Sequence, residues 1–241
     1  MYNPNSLDTI CGALAYALGI EAPSEAAPAN ADLTAYIDTV FGGEKADRVI
    51  MYNPDAIAEW IYRKYPQLTK GAQARAEIEI PLCSVMPSVT PVCFGTMYTG
   101  AQPAVHGIRK YEKPVIKIDS IFDAALRAGK KCAIVSYGKA SLSNIFLERK
   151  MDYYLFPQGG VDAVNAKAAE LIMKDEYDLI VIYNGNYDSV MHKKGPEGLE
   201  ALCELRSNDH AFGEFCELIE RHLSHRNVLV GFAMDHSCHE I

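Results

Sequence analysis

No Cys-x-x-Cys pair occurs in this chain, and its seven cysteines (Cys11, Cys83, Cys93, Cys132, Cys203, Cys216 and Cys238) cannot all pair with one another. An odd set without a motif excludes a disulfide scaffold and predicts reduced thiols in a cytoplasmic protein. No apolar run approaches the ~20 residues that a membrane helix needs. The opening residues MYNPNSLDTI lack a basic stretch followed by an apolar core, so neither membrane attachment nor a secretory leader is expected. Cationic charge is scarce: 23 Lys and Arg stand against 31 Asp and Glu, a net charge of −8. Such a chain repels the phosphates of long nucleic acids. A small phosphorylated substrate stays compatible, because a bound dication reverses the local field. Gly95 and Gly100 have the spacing of a nucleotide-binding P-loop, but Ala101-Gln102 follow where a Lys and a hydroxyl residue are required. No G-x-G-x-x-G follows a strand-like run, which disfavours a dinucleotide oxidoreductase.

The remaining composition is that of a globular protein, with 49% hydrophobic and 22% charged residues in 241. Ile10, Leu14 and Leu18 share a helical face, which predicts a helix over 7–18, begun by Ser6 and stopped by Gly19. A Pro/Ala/Asn stretch over 22–31 is the one linker-like segment, and a second helix is expected over 33–40. Residues 1–45 therefore read as a helical N-terminal arm, and residues 46–241 as the main α/β domain. In that domain, strand-like runs at 48–53, 131–137, 179–183 and 227–234 alternate with helical patterns at 55–65, around 161–171 and around 212–219. Apolar strands alternating with amphipathic helices imply a mostly parallel central sheet flanked by helices.

Ligands of open α/β sheets bind outside the carboxyl ends of the strands. Asp55 follows the first strand, Asp188 and His192 the 179–183 strand, and Asp235-His236 the last. Asp55 alone reads equally well as a helix N-cap. Asp188 and His192, four apart, would share one helix face and could chelate an ion or form a surface pair. Two ionisable groups at a buried strand end are costly unless they pair or bind metal. Carboxylates and imidazoles converging on one edge suit Zn²⁺ or Mn²⁺. Thr90 precedes a proline suited to the first turn of a helix. Its hydroxyl would lie beside free N–H groups that suit a phosphoryl oxygen, or would merely cap the helix. His222 and His225 sit near a predicted helix end and read as structural. His106 reads as part of a turn, and His210 as exposed.

With these residues assembled, the chain resembles the alkaline phosphatase superfamily, and within it the type I phosphodiesterase/nucleotide pyrophosphatase group. The likeness covers about residues 47–241. It rests on a strand ending at Asp55, the segment Pro87 to Ile108 with Thr90, the D-x-x-x-H of Asp188 to His192 with Gly195-Pro196 after it, and Asp235-His236. The resemblance implies a hydrolase with two divalent metal ions, Zn²⁺ or alternatively Mn²⁺. One would be held by Asp55, Thr90, Asp235 and His236, the other by Asp188 and His192. Thr90 would be the nucleophile, forming a covalent phospho-threonine in the cleavage of a phosphodiester or nucleotide pyrophosphate. A phosphomonoesterase or phosphomutase of the same superfamily is the alternative within the class. A metal- or nucleotide-binding fragment with impaired catalysis is the alternative outside it. Sulfatase chemistry is disfavoured, because Cys93 lacks the C-x-P-x-R context.

The chain departs from the pattern at three places. Ala56 and Ser237 stand where the family usually has Gly, which adds side chains at tight backbone approaches. The family's further His for the second metal, from beyond the DHG motif, has no counterpart that His239 fills. A C-terminally truncated chain is the expectation drawn from this.

Overall fold

A computed structural model describes residues 5–238; residues 1–4 and 239–241, His239 among them, lie outside the described part. The protein is α/β, with a five-stranded, all-parallel sheet flanked by helices. The strands are β1 (Arg48–Pro54), β2 (Cys132–Tyr137), β3 (Asp152–Phe156), β4 (Leu179–Asn184) and β5 (Val228–Phe232), in the order β3-β2-β4-β1-β5. The first helices are α1 (Thr9–Leu18), α2 (Ala31–Val40), α3 (Glu59–Lys64), α4 (Lys70–Arg75), α5 (Thr90–Thr99) and α6 (Pro103–His106). They are followed by α7 (Ile121–Arg127), α8 (Ser141–Ile145), α9 (Val161–Lys174), α10 (Asn186–Lys194) and α11 (Leu199–His222). Among the described residues, no helix is long and apolar enough to cross a membrane.

Strands β2 and β4 are buried along their whole length, as their Val/Ile-rich runs require of strands covered on both faces. Alternation along β1 sends successive side chains to opposite sides. Tyr52 meets Phe212 and Phe215 of α11, whereas Asn53 accepts a hydrogen bond from Tyr98 of α5 at 2.8 Å. One group of helices (α1, α5 and α7 among them) thus packs on one face and α9 and α11 on the other. On the α5 side Phe94 stacks on Tyr98, and Phe146 meets Tyr98 and Phe122 edge-to-face, in an aromatic cluster that fills the core.

The expected strands appear within a few residues of their predicted bounds. Other elements differ. Helix α1 begins at Thr9 with Asp8, not Ser6, at its N-cap, and α4, α7 and α8 have no sequence expectation behind them. The helix expected over 55–65 begins only at Glu59, because the chain after Asp55 turns through Ala56 at φ 60°. The pattern seen around 212–219 belongs to a helix of 24 residues. Strand β3 has no sequence expectation behind it. It is an edge strand, half-exposed, built on the short run Tyr153 to Phe156. The 22–31 stretch, linker-like in composition, is bonded down: Ala27 N–H donates to Gly100 O at 2.8 Å and Asn30 N–H to Thr9 O at 3.0 Å. Gly100, at φ +73°, is the one residue type that fits there, since a Cβ would lie 2.6 Å from that of Ala26. Helix α1 is buried at nine of its ten positions and packs on α2, α5, α7 and β1.

Candidate metal centre and nucleophile

Strands β4, β1 and β5 are adjacent and parallel, so their carboxyl ends open on one edge. Asp55 continues β1, its N–H donating to Asn184 O at 2.9 Å, and Ala233 continues β5, its N–H donating to Tyr52 O at 2.8 Å. These extensions carry Asp55 and the Asp235-His236 pair out of the sheet side by side. After β4 the chain turns at Gly185 directly into α10, whose first turn holds Asp188 and whose last turn holds His192. Asp55, Asp188 and His236 each present one ligand atom within 4.8 Å of the others, a group that could hold a metal ion. Asp55, Asp235, His236 and Thr90 are buried, and Asp188 is half-buried.

The other sequence-predicted residues join the same network. Thr90 Oγ1 lies 3.2 Å from His236 Nε2 and 3.4 Å from Asp55 Oδ2. His236 Nε2 is 3.1 Å from Asp55 Oδ1 and 3.5 Å from Asp235 Oδ2. His192 Nε2 is 3.1 Å from Asp188 Oδ1, the i,i+4 arrangement read from the spacing. Asp55 caps no helix; Ala58 occupies the N-cap of α3. Thr90 opens α5 ahead of Pro91, and its hydroxyl is directed at Asp55 and His236 rather than at the free amides of its own helix.

The electrostatics are those of acids crowded out of water. Burial and the neighbouring Asp55 charge push the Asp188 carboxyl up to about 6, against the pull of His192 and His236. Burial and Asp55 likewise hold the Asp235 carboxyl well above the usual carboxylate range. Burial disfavours charge on His236, but the Asp235 and Asp55 carboxylates more than reverse this and raise it to about 10. Its Nδ1 is 2.8 Å from the Ser237 carbonyl, which can only accept, so Nδ1 carries hydrogen and Nε2 is turned toward the acids. A histidine whose second nitrogen donates to a backbone carbonyl is the usual arrangement of a metal ligand. Asp235 Oδ1 accepts from the Ala56 N–H at 3.2 Å, whereas its buried Oδ2 takes no hydrogen bond. The Cys93 thiol, one turn from Thr90, is pushed up to about 12 by burial and by Asp235, so it stays protonated.

Sequence reasoning missed Tyr183. Its hydroxyl donates a very short hydrogen bond to Asp55 Oδ2. Burial and the Asp55 charge hold this phenol well above its usual pKa, in its protonated, donating form. The available signal was a tyrosine closing a buried strand two residues before a glycine. His106 is buried and neutral, set between Thr96 Oγ1 at 3.0 Å and the Ile108 N–H at 3.3 Å. His210 is exposed beside Glu214, and His225 faces Asp175 at 3.6 Å, both away from the site.

No protein-family model matches the chain, and no curated protein is significantly similar to it.

Proposed function

We propose that the protein is a metal-dependent phosphohydrolase of the alkaline phosphatase type, cleaving a phosphodiester or nucleotide pyrophosphate through Thr90. The observation that carries this reading is the Thr90 hydroxyl, buried at the start of α5 and within 3.5 Å of both Asp55 and His236. A hydroxyl beside a carboxylate and a group able to hold a metal is the constellation of an activated nucleophile.

The donor set fits a hard or borderline dication. Asp55, Asp188 and His236 supply two oxygens and a nitrogen, and Asp235 Oδ2, buried without a hydrogen bond and 3.5 Å from His236 Nε2, supplies a further acceptor. Asp188 with His192 offers the start of a second position, for which Zn²⁺ or Mn²⁺ is the expected ion. When bound, such an ion offsets the carboxylate charge and stabilises developing negative charge on phosphoryl oxygens. Thr90 Oγ1 attacks phosphorus in line with the leaving oxygen, and its proton passes toward the Asp55 carboxylate that already accepts its hydrogen bond. The amides at the N-terminus of α5 suit the non-bridging oxygens. Water then hydrolyses the phospho-threonine and restores the hydroxyl. The seven cysteines, all free thiols, support a reducing compartment, the cytoplasm.

Thr90→Ala tests the reading. With Mn²⁺ or Zn²⁺ supplied, it is expected to lower turnover of a chromogenic phosphodiester by three orders of magnitude or more while metal content is kept. Retained turnover refutes the nucleophile. Faster cleavage of the matching monoester than of the diester moves the assignment to the phosphomonoesterase alternative.

A further inference from the structure

Tyr183 stands in a closed circuit of contacts around the nucleophile. Its ring is held edge-to-face by Phe94 at 5.7 Å and by Tyr137 at 5.9 Å. Phe94 lies one turn along α5 from Thr90, and Tyr137 is itself fixed by a 3.0 Å hydrogen bond to Asn186 Oδ1. The Tyr183 hydroxyl donates to Asp55 Oδ2, and Thr90 Oγ1 returns to the same carboxylate. Helix α5 therefore reaches Asp55 by two routes, through its hydroxyl and through a clamped phenol.

An independent feature shows that the position of this hydroxyl is built in. Gly185 has φ −100°, a conformation open to any residue, so its backbone does not call for glycine. Space does: a Cβ at Gly185 would lie 2.6 Å from the Tyr183 hydroxyl oxygen and 3.0 Å from Cζ. The glycine makes room for the hydroxyl.

We propose that Tyr183 is a positioning residue for the metal centre. By occupying Asp55 Oδ2 it leaves Oδ1, 3.1 Å from His236 Nε2, as the oxygen that Asp55 offers to a metal ion. This inference rests on the reading that the Asp55, Asp188 and His236 group holds a divalent cation. Hydrogen bonds from outer partners orient ligating carboxylates, and their loss typically costs about 10–100-fold in metal affinity.

The test is titration of the metal-depleted full chain with Co²⁺, read by its visible absorption, which follows coordination number. Tyr183→Phe removes one oxygen and keeps the ring contacts. It is expected to weaken Co²⁺ binding about 10–100-fold and to change the band intensity, as the released Oδ2 becomes a second donor. Gly185→Ala is expected to weaken binding similarly in the Tyr183 chain, and by less than threefold further in the Tyr183→Phe chain, where the methyl still crowds the ring but has no hydroxyl to displace from Asp55. A merely structural tyrosine would lower thermal stability and leave affinity and spectrum alone. Wild-type affinity and spectrum in Tyr183→Phe overturn the inference, and so do fully additive effects of the two substitutions. Should Tyr183→Phe not fold, wild-type Co²⁺ binding by Gly185→Ala alone overturns it. Asp55→Asn separates the two layers: if it abolishes binding while Tyr183→Phe does not weaken it, the metal reading stands and the positioning role fails. If Asp55→Asn binds Co²⁺ as wild type does, the metal reading itself fails.

Discussion

Two residues near the site carry costs that their surroundings offset. Ala56 is held at φ 60°, where an L side chain loses roughly 1–2 kcal/mol. Its methyl is fully buried, which returns about 0.8 kcal/mol, and its N–H serves Asp235. Relative to glycine, which would keep the N–H bond, the alanine is thus compensated only in part. His106 is the other. Burial lowers its pKa to about 4 from an ordinary 6.5. Between those values the unfolded chain takes up a proton that the folded chain refuses, so stability falls as pH falls from 6.5 to 4 and levels off below. We expect the Tm of the wild type to drop more steeply across that window than that of His106→Gln. Parallel Tm–pH curves for the two chains would assign the acid sensitivity elsewhere.

At the scale of elements, the sequence was most informative where periodicity was strong and least where tertiary context decides. The four apolar strands follow from pattern alone, whereas the helix that carries Asp188 and His192 was only a condition under which the two would share a face. Strand β3 was not legible, because its run of four residues, Tyr153 to Phe156, is short and mostly aromatic and half-exposed at the sheet edge. Asp55, Asp235 and Thr90 could be picked from their places after strands or before a proline. Tyr183 could not, since a tyrosine closing a buried strand is ordinary until its hydroxyl is seen on Asp55. The burial of α1 was legible as an apolar helix, but not its place in the core. Helix α11 hides a polar element of the same kind. Buried Asn208 accepts from Tyr52 at 2.8 Å, and Tyr52 accepts from Asn184 at 3.1 Å, at the root of the Asp55 turn. Asn208→Ala leaves the Tyr52 hydroxyl without its acceptor, a loss of about 1–3 kcal/mol. In a chain of this size that amounts to a Tm about 2–12 °C lower at roughly 2–4 °C per kcal/mol. An unchanged denaturation midpoint would mean that the chain of hydrogen bonds carries no stability.

For the whole molecule, the group that could hold a metal ion joins the ends of three strands, so an ion bound there would act on global stability. A ligand at a hundred times its Kd stabilises the fold by about 2.7 kcal/mol. At roughly 2–4 °C per kcal/mol this is a Tm rise of about 5–11 °C. Differential scanning fluorimetry with Zn²⁺ or Mn²⁺, reversed by a chelator, is expected to show that rise in the wild type and none in Asp55→Asn. Equal shifts in both chains would place the bound ion elsewhere.

The strand order also bears on how the chain is made. Strand β1, which ends at the turn bearing Asp55, lies between β4 and β5, the two described strands farthest along the chain. The 125 positions from Pro54 to Leu179 take the ribosome about 6–25 s at roughly 5–20 residues per second. Until β4 is made β1 has neither of its sheet neighbours, and the apolar α1 precedes most of its partners in the chain. The same wiring that gathers the acids on one edge thus leaves the edges of β1 without a partner until β4 arrives, and unpaired strand edges are where nascent chains associate.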